Sequence, residues 1–191
     1  MRNFIIIALI SIAGLCMQAQ SFEPKWVGEV IVLQGLADAD TVAVPTEKAI
    51  ARIKTSASAG LILTGIGNVT TKVSIKEGWS TTQIDSNEPI YLVVRCKDND
   101  IDPSTFIQVV KFEEKKRERK AELAKQNWLG NVTEGNLRYV PYEADRYGKN
   151  SYILKIQPIE GEFGVRVLNP EDVDEKANLF YCFGAHPMHR K

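Results

Sequence analysis

Apolar and polar residues alternate along much of the chain, most regularly in residues 89–97, which read PIYLVVRCK. Successive side chains of an extended strand point to opposite faces of a sheet. One face of this segment therefore collects the apolar side chains of Ile90, Leu92, Val94 and Cys96. An apolar side chain at every second position predicts a β-strand with a buried face.

The same period of two recurs in other segments. Val69, Val73 and Ile75 share one face of residues 69–75. Strands are also predicted in the first half at residues 27–33, 41–44, 49–54 and 105–112, and in the second half at residues 137–140, 151–157, 162–168 and 179–183. Short strands at spacings of ~8–15 residues, with turns between them, are typical of an antiparallel β-sandwich.

A highly charged stretch, residues 111–125, separates the two groups of predicted strands and reads KFEEKKRERKAELAK. Glutamate, lysine, arginine, alanine and leucine are among the best helix-forming residues. On a helix, Phe112 and Leu123 would project in nearly the same direction, but Lys116 and Arg119 between them are charged. Such a helix could not bury a full face. We therefore predict a solvated helical linker over residues 111–127.

These elements together predict an all-β fold in which two antiparallel, sandwich-like units are joined by a charged α-helix. The first unit would cover residues 20–110 and the second residues 128–191. The segment after Gly184 is expected to be a frayed tail. A domain typically contains ~100–200 residues, so the 191 residues suffice for one domain or two small ones.

The first residues have the pattern of a secretory signal peptide. Arg2 precedes an unbroken run of apolar and small residues at positions 4–16, and the sequence Gln18-Ala19-Gln20 follows. This run is shorter than the ~20 apolar residues that span a bilayer. We expect cleavage after Ala19, which removes residues 1–19 and leaves no integral membrane segment. The protein is then periplasmic, on the cell surface or extracellular.

The composition excludes one class of partner. Hydrophobic residues make up 44% of the chain and charged residues 25%, as in ordinary globular proteins. The 24 basic residues equal the 24 acidic ones, so the formal net charge is zero. Nucleic-acid binding depends on a basic surface that displaces counterions. No nucleic-acid partner is therefore expected.

Two cysteines, Cys96 and Cys182, remain after the predicted cleavage. Export permits a disulfide, and these two residues allow only one pairing. Both also lie in apolar strand segments, where cysteine often serves as a small buried side chain. The sequence leaves both alternatives open. It contains no Cys-x-x-Cys motif and no cluster of cysteine and histidine that would indicate zinc.

Three carboxylates at alternate positions, Asp98, Asp100 and Asp102, are the candidate metal ligands, because such spacing can present oxygens to Ca²⁺. An EF-hand loop would require glycine and an acid where Pro103 and Val109 stand. An irregular calcium site, a solvated turn and an atypical hydrolase using these three acids are the alternatives.

No nucleophile elbow, P-loop or zinc-protease motif occurs in the sequence. The only histidines, His186 and His189, lie in the predicted tail without further ligands. No catalytic residue and no cofactor is expected.

Aromatic residues beside polar ones provide candidates for ligand binding. Flat rings can stack on sugars while neighbouring polar groups bond to the hydroxyls. The candidates are Trp79, Trp128, Tyr139, Tyr142 and Tyr147. Tryptophan and tyrosine also anchor the cores of small β-proteins, which is the alternative interpretation.

The carboxyl-terminal half contains three short motifs, at residues 147–152 (YGKNSY), 161–164 (GEFG) and 181–184 (YCFG). In these motifs it resembles an uncharacterised group of secreted Bacteroidota β-proteins. The resemblance implies export and a β fold, and it supplies no activity, cofactor or catalytic residue. Residues 40–42 (DTV) are similar to the O-glycosylation sequon of such bacteria, so Thr41 is a candidate acceptor.

The sequence thus favours a non-enzymatic, secreted binding or structural module that contacts a protein in the envelope or outside the cell. The alternative is a carbohydrate-binding protein that uses exposed tyrosine and tryptophan side chains on a surface glycan.

Overall fold

The computed structural model describes residues 22–35, 41–58, 69–126, 132–134, 138–168 and 179–188. The strands of the first half are β1 (Val30–Gln34), β2 (Val42–Pro45), β3 (Glu47–Ile50), β4 (Arg52–Ala57), β5 (Val69–Lys76), β6 (Gln83–Asp85), β7 (Ile90–Arg95) and β8 (Ile107–Lys115). Those of the second half are β9 (Glu118–Gln126), β10 (Val132–Glu134), β11 (Arg138–Tyr139), β12 (Glu143–Tyr147), β13 (Ser151–Ile156), β14 (Gly161–Val167) and β15 (Leu179–His186). A short 3-10 helix, Pro103–Thr105, precedes β8. The all-β prediction is confirmed for these residues.

Five strands form one antiparallel sheet in the order β12-β13-β7-β1-β2. The central strand β7 pairs with β13 from Ile90 to Arg95 and with β1 on its other side. The predicted alternation in this strand is confirmed, since all four apolar side chains that share a face, at positions 90, 92, 94 and 96, are buried.

The second sheet curls until its two ends meet. Its described strands follow the order β3-β15-β14-β8-β9-β5-β4, with β6, β10 and β11 paired alongside. Strand β3 pairs with β15, and β4 pairs with β5, yet β3 and β4 are separated only by Ala51. One continuous segment of chain therefore supplies both ends of the sheet. All pairings are antiparallel except that of β6 with β15.

Two apolar cores result from this arrangement. The inter-sheet core lies between the two sheets and contains Leu92 and Leu154 from the first and Phe163 and Phe183 from the second. The two phenylalanine rings stack with their centroids 5.3 Å apart. The inner core is enclosed by the curl of the second sheet and consists of Ala49, Ala51, Val73, Ile75, Val110, Phe112, Ala121, Phe180 and Cys182. Burying one large apolar side chain contributes about 1.5–3 kcal/mol, so both cores stabilise the fold.

The predicted helical linker over residues 111–127 is wrong for the described part of that stretch. Strands β8 and β9 form a hairpin in which Glu113 pairs with Lys120 and Lys115 with Glu118. Strand β9 also pairs with β5 along its whole length. Local helix propensity is a weak preference, and pairing on both sides with buried strands overrides it.

The charges of this hairpin follow a period of two. Arg119 and Ala121 are buried, whereas Glu118 and Lys120 lie on the outer face. On that face Glu118 Oε2 lies 2.9 Å from Lys54 Nζ, and Glu118 Oε1 lies 2.6 Å from Lys120 Nζ. Surface pairs of this kind stabilise a fold only weakly, because solvent screens them. They allow a charged strand to lie in a sheet that faces solvent.

The sheets do not divide at the predicted linker. In the first sheet, β7 from residues 20–110 pairs with β13 from residues 128–191. In the second, β15 pairs with β3, and β14 pairs with β8. Strands distant in sequence are joined because each has a buried face that only the other half covers. The predicted frayed tail is likewise wrong up to His186, where β15 ends.

The predicted signal peptide, residues 1–19, lies outside the described residues. In the part of the chain with assigned structure, no helix is long and apolar enough to cross a membrane.

Candidate functional site

Residues 22–29 form an amino-terminal strap that is tied to the ends of strands β7, β12 and β13 of the first sheet. The carboxylate of Glu23 accepts hydrogen bonds from Ser151 Oγ at 2.7 Å and from the backbone N–H of Asn150 at 3.3 Å. Its other oxygen lies 3.6 Å from a guanidinium nitrogen of Arg95. Burial alone would raise the pKa of Glu23, but these hydrogen bonds and the arginine charge outweigh it and lower the pKa below 4.5. The strap is therefore held by an ionised carboxylate.

The strap ends in a turn that presents two apolar side chains to solvent. The N–H of Gly28 donates to the carbonyl of Arg95 at 2.7 Å, and the N–H of Glu29 donates to the carbonyl of Trp26 at 3.0 Å. Gly28 has a φ of +85°, which favours glycine. Trp26 is 65% exposed and Val27 is 60% exposed. Both side chains thus lie on a backbone that is fixed by hydrogen bonds.

A small cleft, here called the Trp26 cleft, lies beside this turn. Trp26, Val27 and Pro45 line its walls, and the buried Val30 and the half-buried Tyr181 also line it. Its volume is about 160 Å³. Drug-sized ligands occupy pockets of ~300–1,000 Å³, whereas a cavity of ~150 Å³ can accept a benzene ring. The Trp26 cleft is therefore of the size that accepts one apolar side chain.

A second, more open groove of about 430 Å³ runs along β3. Lys48 lines both the groove and the Trp26 cleft. Ile50, which is 77% exposed, and Ile75, which is buried, line the groove together with the charged side chains of Arg52 and Lys76. The cleft and the groove thus adjoin at Lys48.

Charged side chains meet inside the protein at one end of the inner core. This Arg119 cluster consists of Arg119, Glu162 and Glu47. Arg119 donates to Glu47 Oε1 at 2.7 Å and to Glu162 Oε2 at 3.4 Å. The side chains of Arg119 and Glu162 are fully buried, and that of Glu47 is 19% exposed. Buried charges are tolerated when they are paired and hydrogen-bonded in this way.

Every oxygen of the buried Glu162 carboxylate has partners. Oε2 also accepts from the N–H of Ser80 at 2.7 Å. Oε1 accepts from Gln83 Nε2 at 3.1 Å and lies 3.3 Å from His186 Nε2. The imidazole of His186 in turn contacts the ring of Trp79, with centroids 4.8 Å apart. A carboxylate whose oxygens are fully engaged is not available as a nucleophile or base, so the geometry supports a structural role for it.

The Arg119 cluster also fixes the loop of residues 77–82. Arg119 Nε donates to the carbonyl of Glu77 at 3.2 Å, and the N–H of Thr81 donates to Glu47 Oε2 at 2.8 Å. Burial would raise the pKa of Glu47, but the N–H of Thr81 and the guanidinium of Arg119 outweigh this effect and lower it. The Glu47 carboxylate therefore remains ionised, and together with Arg119 it ties the loop to the curled sheet.

The aromatic residues predicted to bind a ligand occupy different settings. Tyr139 is 52% exposed. The hydroxyl of Tyr142 donates to the backbone carbonyl of Ile107 at 2.8 Å and lies 3.2 Å from that of Pro103, and burial raises the pKa of Tyr142 to about 12. The hydroxyl of Tyr147 accepts from the strap at the N–H of Phe22. Tyr142 and Tyr147 thus serve the fold. Trp128 lies outside the described residues.

The three carboxylates of the candidate metal site have separate roles. Asp98 Oδ1 accepts from the N–H of Asp100 at 3.4 Å, and Asp100 pairs with Arg146 at 3.3 Å on the surface. Asp102 caps the 3-10 helix by accepting from the N–H of Ser104 at 2.9 Å. Among the residues that the structure describes, no group of three or more His, Cys, Asp or Glu side chains is placed to hold a metal ion.

The possible disulfide is not formed. Cys96 and Cys182 are both buried free thiols. Cys96 lies in the inter-sheet core and Cys182 in the inner core, so the second sheet separates them. Burial raises the pKa of Cys96 to about 11 and that of Cys182 to about 12. Both thiols behave as small apolar side chains.

Two further predicted residues are placed on the surface or in the sheet. Thr41, the candidate glycosylation acceptor, is half-buried, and its hydroxyl lies 3.4 Å from the carbonyl of Gly35. His186 ends β15 beside Glu162, whereas His189 lies outside the described residues.

Sequence reasoning missed Trp26, Arg119 and Glu162. Trp26 stands between a proline and a glycine, Pro24 and Gly28, which is a turn signal that could have placed it on an exposed loop. No local sequence pattern indicates the roles of Arg119 and Glu162. Each role depends on the contact between the two side chains, which lie 43 positions apart in the sequence.

No family model matches the chain, and comparison with curated proteins and with solved structures also finds no match. Function is therefore inferred from the geometry of the chain itself.

Proposed function

We propose that this chain is an exported, non-enzymatic binding protein that recognises another protein at the Trp26 cleft. The observation that carries the proposal is the exposure of Trp26 and Val27 at the rim of a cavity of about 160 Å³. The partner inserts one apolar side chain into the cleft and covers the rim residues. The groove along β3 provides the adjoining contact surface.

The residue types at the cleft support a protein partner. Tryptophan, tyrosine and arginine are enriched among the few residues that dominate binding energy at protein interfaces. Here Trp26 and Tyr181 lie at one cleft, and Glu29 and Lys48 add one negative and one positive charge to its lining. Aromatic side chains are enriched at protein interfaces, and polar and charged side chains surround them at the rim.

The rigidity of the strap also supports binding. Ordering a side chain on association costs about 0.5–1.5 kcal/mol, and a fixed backbone reduces the corresponding cost for a loop. The ion pair of Glu23 with Arg95 and the hydrogen bond of Gly28 to Arg95 keep the turn in place before any partner arrives.

The engagement of the Arg119 cluster supports a non-enzymatic function. Its carboxylates are held by Arg119 and by backbone N–H groups, and a general base must instead reach a substrate proton. Support for export comes from the signal-peptide pattern of residues 1–19 and from the resemblance to secreted Bacteroidota β-proteins.

Site-specific photo-crosslinking in the producing cell tests this function. A benzophenone amino acid replaces Val27 at the cleft, and a matched variant carries it at Asp145 on β12, the opposite edge of the first sheet. We expect a discrete protein adduct from position 27 and none from position 145. The same adducts from both positions, or turnover of a substrate by the purified protein, would contradict the proposal.

The crosslinked partner then allows a quantitative test. Trp26→Ala should weaken its binding by about thirtyfold or more, because hot-spot residues contribute at least ~2 kcal/mol. Tyr139→Ala is the matched control, since Tyr139 is an aromatic side chain of similar exposure. Equal loss of affinity in both variants would place the binding surface elsewhere.

A further inference from the structure

Exposed and buried residues alternate sharply in the loop that the Arg119 cluster fixes. Gly78, Ser80 and Thr82 are buried, whereas Trp79 and Thr81 are exposed. Trp79 is 56% exposed although both of its neighbours are buried. The loop therefore exposes both the indole ring of Trp79 and the side chain of Thr81 to solvent.

Hydrogen bonds on both sides of Trp79 prevent it from folding inward. Before it, the N–H of Glu77 donates to the carbonyl of Arg117 at 3.1 Å. After it, the N–H of Ser80 donates to the fully buried Glu162. Gly78 lies so close to the carbonyl of Lys115 that any larger residue would collide with it. The buried Arg119 cluster, through the hydrogen bond from Ser80 to Glu162, thus keeps the side chain of Trp79 at the surface.

His186 contacts one side of the Trp79 indole ring and places a hydrogen-bonding imidazole nitrogen beside it. Its ring is tilted by 52° to that of Trp79. The carboxylate of Glu162 can only accept a hydrogen bond, so His186 Nε2 carries the proton that it shares with Glu162 Oε1. In the neutral imidazole this leaves Nδ1 as an acceptor.

The surroundings of Trp79 distinguish it from Trp26. Trp26 adjoins a cleft whose lining includes Val30 and Pro45, whereas Trp79 contacts His186 and lies two positions from the exposed Glu77 and Thr81. A protein hot spot is surrounded by contacts that exclude water. An isolated ring among hydrogen-bonding groups instead fits a ligand that has an apolar face and a polar rim.

We propose that Trp79 is the stacking platform of a carbohydrate site, in which a pyranose ring lies on the indole and its hydroxyls bond to Thr81 and His186. The Arg119 cluster is the positioning element of this site. The site is distinct from the Trp26 cleft, and it would let one exported protein contact both a protein and a glycan.

The experiment follows the indole N–H resonances of the folded protein by NMR during titration with three soluble oligosaccharides. Cellohexaose supplies a neutral ring, chitohexaose an N-acetylated ring and oligogalacturonate an acidic ring. Trp79→Phe assigns the Trp79 resonance. We expect at least one oligosaccharide to shift that resonance with a saturable curve while the Trp26 resonance stays unchanged.

Three variants test the assignment. Trp79→Ala should abolish the saturable response, and Trp26→Ala should leave it unchanged. His186→Ala should weaken the affinity by about two- to tenfold, in line with the loss of one ring contact. The proposal is overturned if none of the three oligosaccharides shifts the Trp79 resonance, or if Trp79→Ala binds as wild type does. A protein adduct at position 27 is a separate result, so the two proposals fail independently.

Discussion

A guanidinium nitrogen of Arg119 lies 3.4 Å from Oε2 of Glu162, and neither side chain is exposed to solvent. Arg119 belongs to the most charged stretch of the chain and Glu162 to a strand of the other half. The pair joins the hairpin of β8 and β9 to the centre of the curled sheet. One arginine of the charged stretch is therefore buried, whereas residues 113–117 of the same stretch are exposed.

Removing the arginine should destabilise the whole protein. We expect Arg119→Ala to lower the free energy of unfolding by about 3–5 kcal/mol, because it leaves the buried Glu162 without its cation. Arg117→Ala is the matched control, since Arg117 lies in the exposed hairpin turn and should change stability by no more than about 0.5 kcal/mol. Urea unfolding of both variants measures the difference. A similar, small effect in the two variants would contradict the buried pair.

Much of the fold could be predicted from residues whose side chains alternate between core and solvent. The segments predicted around Val94, Val73 and Val165 all contain strands. In each of them, the residues of the segment alone supply the apolar side chains of the buried face. The segment at β9 was mispredicted because its inner face contains Arg119 where an apolar residue is expected. Its partners Glu47 and Glu162 are 72 and 43 positions away, beyond the reach of any local pattern.

The candidate sites were harder to predict than the strands. Tyr142 looks like a ligand-binding residue in sequence, yet its hydroxyl donates to the backbone carbonyl of Ile107. Trp26 is in no predicted strand, yet the ion pair of Glu23 with Arg95 fixes the strap that carries it. A hydrogen bond in the first case and an ion pair in the second, each across more than 30 positions, decide the role, and period-two patterns carry no information about such contacts.

The ionised Glu23 of the strap should make the free energy of unfolding depend on pH. The pKa of Glu23 is lowered on folding, so its contribution is fully present above its unfolded value of 4.5 and is lost as the pH falls through the lower folded value. Glu23→Gln keeps an oxygen acceptor but has no charge. We expect this variant to be less stable than wild type at neutral pH and the difference to shrink in acid. Urea unfolding at pH values above and below 4.5 measures it, and a difference that stays constant with pH would contradict the ionised strap.

The two core thiols should be inert in the folded protein. Since burial raises the pKa values of Cys96 and Cys182 to about 11 and 12, neither forms a thiolate at neutral pH. We expect a thiol-specific reagent to label them only after denaturation. A reducing agent should leave the thermal midpoint unchanged, because no disulfide joins them. Rapid labelling of the native state, or a drop in the midpoint on reduction, would be evidence against this arrangement.

Because residues 113–120 belong to the β8–β9 hairpin, replacing them should affect the fold itself. An uncharged helical sequence in place of residues 113–120 would be harmless in a linker. In the curled sheet it removes Arg119 and the pairing of Glu113 with Lys120. Loss of the fold is therefore the expected result.

The most direct measurement is a pair of engineered disulfides that distinguishes hairpin from helix. Glu113 and Lys120 are paired in the hairpin, where opposite Cα atoms lie about 4.5–5.5 Å apart, whereas seven positions along a helix span about 10 Å. A disulfide cannot bridge Cα atoms more than about 7 Å apart. The control pair is Glu113 and Arg117, which a helix would bring to about 6 Å. We predict that Glu113→Cys with Lys120→Cys oxidises readily and that Glu113→Cys with Arg117→Cys stays reduced. The opposite result would contradict the hairpin and the burial of Arg119 that depends on it.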